Sequence, residues 1–247
     1  MTTGGPPPAP PPGPPPPPCR LVVFDLDGTL ADSFPWFRDV LLGELGREFG
    51  LPRADAAEVE RLRGLASTRE LLRRVGVPAW RVPALARRGR AIKARDAGRI
   101  PLFPGALDAL RALRDAGTRL ALVTSDAEAN ARRILGAEAA ALFERLDCGA
   151  ALFGKAARFR RVLAASGVAP AEALAVGDEP RDAEAARRAG LPFGAVSWGY
   201  ARAEALAPHR PEALFAAMED IAPWVAARGR RTGPGRSGTV AEAASAA

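Results

Sequence analysis

Asp25 and Asp27 stand two residues apart, directly after the apolar run Leu21-Val22-Val23-Phe24. Residues i and i+2 of an extended segment point to the same face. The two carboxylates can therefore address one bound group together. Like charges that close need a divalent cation, or a proton held by one of them, to share an apolar pocket. Gly28 follows and lets the backbone turn sharply and approach a ligand. A strand that ends in an ordinary Asp-Gly turn is the competing reading.

Three other places carry groups of the same kind. Thr124-Ser125 ends the run Leu120-Ala121-Leu122-Val123. A hydroxyl beside the free N–H groups of a helix start makes a phosphate cradle, although Ser and Thr there also serve as plain caps. Gly177-Asp178-Glu179-Pro180-Arg181-Asp182 ends Ala173-Leu174-Ala175-Val176 and adds three carboxylates. An acidic helix start is also ordinary dipole pairing. Lys155 is one of only two lysines, with Lys93, among 35 basic residues. A chain so biased toward Arg has placed a compact ammonium at a helix start.

What is scarce excludes as much. His209 is the single histidine and sits in a Pro-flanked, turn-like segment. A Ser-His-Asp triad and a His-rich metal site are out of reach. Cys19 and Cys148 form no Cys-x-x-Cys, so neither a disulfide framework nor a zinc cluster is expected. Chemistry here must run on carboxylates, hydroxyls, Lys, Arg and hard cations.

The elements that must position these groups follow from apolar patterning. The chain has 247 residues, 48% of them hydrophobic, enough for one domain with a large insertion or two small ones. Strands are expected at Leu21–Asp25, Leu120–Thr124, Ala173–Gly177 and Phe193–Ser197, with a weaker one near Arg145–Cys148. Helices are expected at Ala106–Ala116, Ala127–Leu135, Lys155–Ser166, Arg181–Ala189 and Pro211–Asp220. Strands rich in Leu, Val and Ala without alternation suit a parallel sheet covered on both faces. The expected fold is a doubly wound, Rossmann-like α/β sheet, with ligands gathered outside the carboxyl ends of its strands.

Residues 33–103 break the rhythm with helical stretches only, as an inserted helical unit between core segments 20–32 and 104–227. Ser67-Thr68-Arg69-Glu70 reads as a capping box in it. The Pro-rich segment 1–19 and the Arg-containing segment 228–247 read as disordered tails. The net charge of +7 is concentrated in 33–103, and a basic unit beside a carboxylate site could draw in an anionic substrate, or simply be a solvated surface. Nucleic-acid binding is not expected, for want of a basic stripe with interleaved aromatics. No apolar run approaches the ~20 residues of a membrane span, and no secretory signal is evident. A cytoplasmic protein is the default expectation.

The full order, Asp-x-Asp-Gly-Thr, then Thr-Ser, then Lys, then Gly-Asp-x-x-x-Asp, resembles the haloacid dehalogenase-like hydrolase superfamily over roughly residues 20–222. Within it, the chain is similar to the phosphoglycolate-phosphatase-like branch, whose helical cap lies between the first and second motifs. The resemblance implies a Mg²⁺-dependent phosphatase acting on a small phosphorylated metabolite, phosphoglycolate-like or a sugar phosphate, through an aspartyl phosphate. It casts Asp25 as nucleophile and Asp27 as general acid, then base. Thr124 and Ser125 would hold phosphate oxygens, and Lys155 would pair with the nucleophile and the phosphoryl charge. Asp25, the carbonyl of Asp27 and Asp178 would bind Mg²⁺, supported by Asp182 and, where a smaller side chain is common, by Glu179. As a general acid, Asp27 should have a raised pKa. Ser67 and Arg69 of the cap are candidates for a substrate hydroxyl or carboxylate, with capping and surface roles competing. A sugar phosphomutase and a non-catalytic binding protein on the same fold are the alternatives.

Overall fold

The computed structural model describes residues 16–51, 57, 59, 68–149 and 154–230. Its centre is one parallel sheet of six strands in the order β3-β2-β1-β4-β5-β6. The strands are β1 (Leu21–Phe24), β2 (Arg119–Val123), β3 (Arg145–Asp147), β4 (Ala173–Gly177), β5 (Phe193–Val196) and β6 (Ala213–Phe215). In β1, β2 and β4 the interior side chains are buried on both faces, which is why these runs are apolar without alternation. Val22, Phe24, Leu120, Leu122, Leu174 and Val176 face helices Ala106–Asp115, Glu128–Leu142 and Ile221–Ala227. Leu21, Val23, Ala121, Val123 and Ala175 face helices Lys155–Ser166 and Pro180–Ala189.

The register aligns the strand ends that matter. Phe24 lies between Leu122 of β2 and Val176 of β4. Asp25 directly after Phe24, and Thr124 and Asp178 two residues after its partners, therefore leave the sheet close together at its carboxyl edge. The chain winds from β1 through β2 to β3, then crosses back to β4 on the other side of β1. That reversal opens a crevice between β1 and β4, the position where open α/β sheets bind ligands.

One expectation fails outright. Residues 211–220 do not form a helix: Ala213–Phe215 is the sixth strand, and a short 3₁₀ turn, Met218–Asp220, precedes helix Ile221–Ala227. β5 offers an open edge of backbone N–H and C=O groups, and pairing them outweighs local helical propensity. The helix expected to end at Leu135 does break there. Gly136 adopts φ 72, and helical structure resumes to Leu142.

Residue 228 is not the start of a loose tail. Arg228 is 2% exposed within a 3₁₀ turn, Arg228–Arg230. Its guanidinium binds Glu212 at 2.8 and 3.1 Å and also reaches the carbonyls of Pro17 and Ala171. Pro17 and Pro18 lie against this turn.

Between β1 and β2, helices Phe34–Val40, Gly46–Phe49, Thr68–Arg74 and Val82–Asp96 surround a separate apolar cluster that includes Phe34, Leu41, Leu45, Leu72, Leu85 and Ile92. A π-helical turn, Leu41–Leu45, links the first two. Two chain crossings join this unit to the sheet. They lie side by side, with Ala31 bridged to Leu102 and Phe103 N–H donating to the Leu30 carbonyl. Ala97 and Ile100 already pack in the main core. Ser67 lies outside the described residues.

Candidate active site

Asp25 leaves β1 with its N–H bonded to the Val176 carbonyl, and its side chain is buried. Lys155, the first residue of helix Lys155–Ser166, places its ammonium 2.9 Å from Asp25 Oδ1 and 2.6 Å from Asp182 Oδ1. Lys155 thus joins the end of β1 to the helix that follows β4. Burial would lower its pKa, but Asp182 and Asp25 raise it, so the amine is charged. Asp182 also accepts from the Glu179 N–H at 3.1 Å, half of a capping box that starts helix Pro180–Ala189.

Asp178 is fully buried at the same edge. Its Oδ1 accepts from the Thr29 hydroxyl at 3.0 Å and its Oδ2 from the Tyr200 N–H at 2.7 Å. Burial, then Glu179, Asp182 and Asp25, hold its carboxyl well above the usual range. Asp25 and Glu179 are also raised, mainly by burial. One carboxylate oxygen from each of Asp25, Asp178 and Asp182 lies within 4.8 Å of the others.

Four buried carboxylates meet here, Asp25, Asp178, Glu179 and Asp182, against two cations, Lys155 and Arg181, the latter paired with Glu179. With all four ionised, two negative charges would be left over among buried groups, an arrangement that the raised pKa values of Asp25, Asp178 and Glu179 show to be unfavourable unaided. A divalent cation that takes hard oxygen ligands fits this donor set. The backbone is shaped around Asp178 too. A Cβ on Gly28, which has φ 77, or on Gly199 would overlap the Asp178 carboxylate.

Asp27 points elsewhere. Both of its oxygens lie 2.6 Å from the ammonium of Lys93, a residue of helix Val82–Asp96. The same ammonium lies 2.5 Å from Asp126 Oδ2, just beyond β2. This corrects the expectation of a raised pKa at Asp27. Burial alone would push it up, but the charge and hydrogen bonds of Lys93 hold it below the ordinary value. Asp126 is instead pushed up to about 6, by burial and by Asp27, against the pull of Lys93.

Thr124 is buried, and its hydroxyl accepts from the Asp126 N–H at 3.2 Å, so in this structure it caps the turn after β2. Ser125 is exposed beside it. The fold thus gathers Asp25, Asp178, Glu179, Asp182 and Lys155 in one cluster, with Asp27 and Thr124 on its flank.

Sequence reasoning missed Lys93, Asp126, Thr29, Gly199 and Tyr200. For Lys93 a signal existed: the scarcity of lysine that singled out Lys155 applied to it equally. Tyr200, whose hydroxyl lies 3.1 Å from that of Ser33, also packs edge-on against Phe34, and no local pattern announces that.

A family model described as haloacid dehalogenase-like hydrolase matches residues 22–196. A phosphoglycolate phosphatase of Synechococcus elongatus is 31% identical over 201 residues, which is 81% of this chain and 94% of that protein. A haloacid dehalogenase-like hydrolase of Streptococcus pneumoniae shares the fold, with a TM-score of 0.71 at 22% identity over 83% of this chain and 98% of that one. A crystal structure of a predicted phosphoglycolate phosphatase from Haemophilus somnus matches with a TM-score of 0.67 at 25% identity, over 82% and 96% of the two chains. Among the described residues, no helix is long and apolar enough to cross a membrane.

Proposed function

Because the chain belongs to the haloacid dehalogenase-like hydrolase family, we propose that it is a Mg²⁺-dependent phosphatase that hydrolyses a small phosphorylated metabolite, phosphoglycolate-like or a sugar phosphate, through an aspartyl phosphate on Asp25. The observation that carries this reading is the cluster of buried carboxylates Asp25, Asp178 and Asp182, bridged by Lys155.

In the proposed mechanism, an Asp25 carboxylate oxygen attacks phosphorus and the bond to the ester oxygen breaks. Asp27, which must first give up its pairing with Lys93 and take up a proton from solvent, passes that proton to the departing oxygen. Asp27, now ionised, takes a proton from water; the water oxygen attacks phosphorus, and the bond to Asp25 breaks. Phosphate leaves and both carboxyl groups return to their starting states. A carboxylate nucleophile divides one slow substitution into two easier ones. Asp25, Asp178 and the carbonyl of Asp27 would hold the Mg²⁺, with Asp182 and Glu179 in support; the bound ion would neutralise charge on the phosphoryl oxygens. Lys155 orients Asp25 and adds a fixed positive charge to the same oxygens. Thr124 and Ser125 would meet the phosphate once Thr124 gives up its bond to the Asp126 N–H. The helical unit 33–103 would act as a cap that closes over the crevice and excludes water.

The test is hydrolysis of an activated aryl phosphate with Mg²⁺ and with a chelator. Wild type should turn over only with the metal, and Asp25→Asn should abolish turnover. Activity that survives in Asp25→Asn, or a pure wild type that is inert, rejects the proposal.

A further inference from the structure

Resting on that phosphatase reading and its phosphoglycolate-like substrate, we propose that Lys93 is a specificity-determining residue that binds the anionic group on the leaving half of the substrate. The observation is the position of its ammonium. The cap helix delivers it onto both carboxylate oxygens of Asp27, each at 2.6 Å. One of those oxygens must face the ester oxygen for Asp27 to act on it. In this arrangement Lys93 therefore stands where the leaving half of the substrate has to sit.

The surroundings of Lys93 say what it would accept in exchange. Its side chain is only 9% exposed, so it cannot turn to water. Asp126 holds it at 2.5 Å from the core side, and the ring of Trp36 lies 5.7 Å beneath it. Trp36 is itself fixed by its indole N–H, which donates to Asp96 Oδ2 at 3.1 Å. A buried ammonium that gives up one of two carboxylates without replacement loses several kcal/mol of favourable interaction. A substrate carboxylate one carbon from the ester oxygen replaces Asp27 at almost the same place. Lys93 then keeps two anionic partners while Asp27 turns to the ester oxygen. A leaving half with only a methyl group or a cation offers no such exchange. A purely structural latch between cap and core would show no dependence on leaving-group charge.

The test compares 2-phosphoglycolate, ethyl phosphate and phosphoethanolamine, which share the P–O–CH₂ unit and end in an anion, a neutral group and a cation. Wild type should prefer them in that order in kcat/KM. In Lys93→Met the ratio of kcat/KM for phosphoglycolate over ethyl phosphate should fall about tenfold or more, mostly through KM, as expected when a charged contact specific to one ligand is lost. Lys93→Arg, which keeps the charge if the truncated variant folds poorly, should restore most of the ratio. Equal losses on all three esters in Lys93→Met, or no preference for the carboxylate in wild type, overturns the role of Lys93 and leaves the phosphatase reading standing. A wild type inert toward these esters and toward aryl phosphate removes both.

Discussion

At the scale of single residues, Asp178 shows what the site costs the fold. Burial and three neighbouring carboxylates keep its pKa raised. In the unfolded chain the same group ionises near ~4. The folded protein without metal therefore loses stability as pH rises from there toward the raised value, and at neutral pH it still carries what was lost. Asp178→Asn removes this penalty and can keep both hydrogen bonds, with the amide oxygen accepting from Tyr200 N–H and the amide nitrogen donating to the Thr29 hydroxyl. We expect the variant to melt higher than wild type in a chelator, by about 2–4 °C for each kcal/mol recovered. Saturating Mg²⁺ at about 100 times its Kd should raise wild type by about 2.7 kcal/mol and leave the variant nearly unchanged. Differential scanning calorimetry at neutral pH decides it; a lower melting point for the variant without metal would refute the charge argument.

At the scale of elements, the strand ends and the turns behind them set the geometry. Gly28 needs its positive φ, and Gly199 needs its missing side chain, because the Asp178 carboxylate fills the space where either Cβ would go. Gly199→Ala should cost about 1–3 kcal/mol through overpacking and should weaken Mg²⁺ binding. Isothermal titration with Mg²⁺ beside a denaturant melt separates the two effects. Unchanged Mg²⁺ affinity would mean that the loop yields without disturbing Asp178. β6 teaches a related lesson about legibility. Ala213–Phe215 is too short to show a period, and its pattern of buried, exposed, buried arises only because β5 stands next to it. The longer runs at β1, β2 and β4 were legible because burial on both faces demands an unbroken apolar string.

At the scale of the whole molecule, the first and last described segments are tied together. Arg228 joins Glu212 after β5, Ala171 before β4 and Pro17 before β1. Arg228 is buried but Glu212 is partly exposed, so losing Arg228 costs less than the ~3–5 kcal/mol of a fully buried pair, although its bonds to the Pro17 and Ala171 carbonyls go too. Arg228→Met should therefore lower the melting temperature markedly, and Glu212→Leu with Arg228→Met should recover part of the loss. Urea melts of the single and double variants check this, and a loss that simply adds would show that the pair is not coupled.

The amino-acid sequence by itself determined the parallel α/β core and most of the carboxyl-edge groups, Asp25, Lys155, Asp178 and Asp182. Strand burial and motif spacing are local properties, and each of these groups follows or begins an element that its own neighbours specify. Only the tertiary structure decided the state of Asp27. Its partner Lys93 lies 66 residues away on a helix that packs elsewhere, and one close ammonium outweighs the burial that would otherwise raise its pKa. The same holds for Gly199, Tyr200 and Arg228. Each is defined by contacts across large sequence separations, which no local pattern encodes.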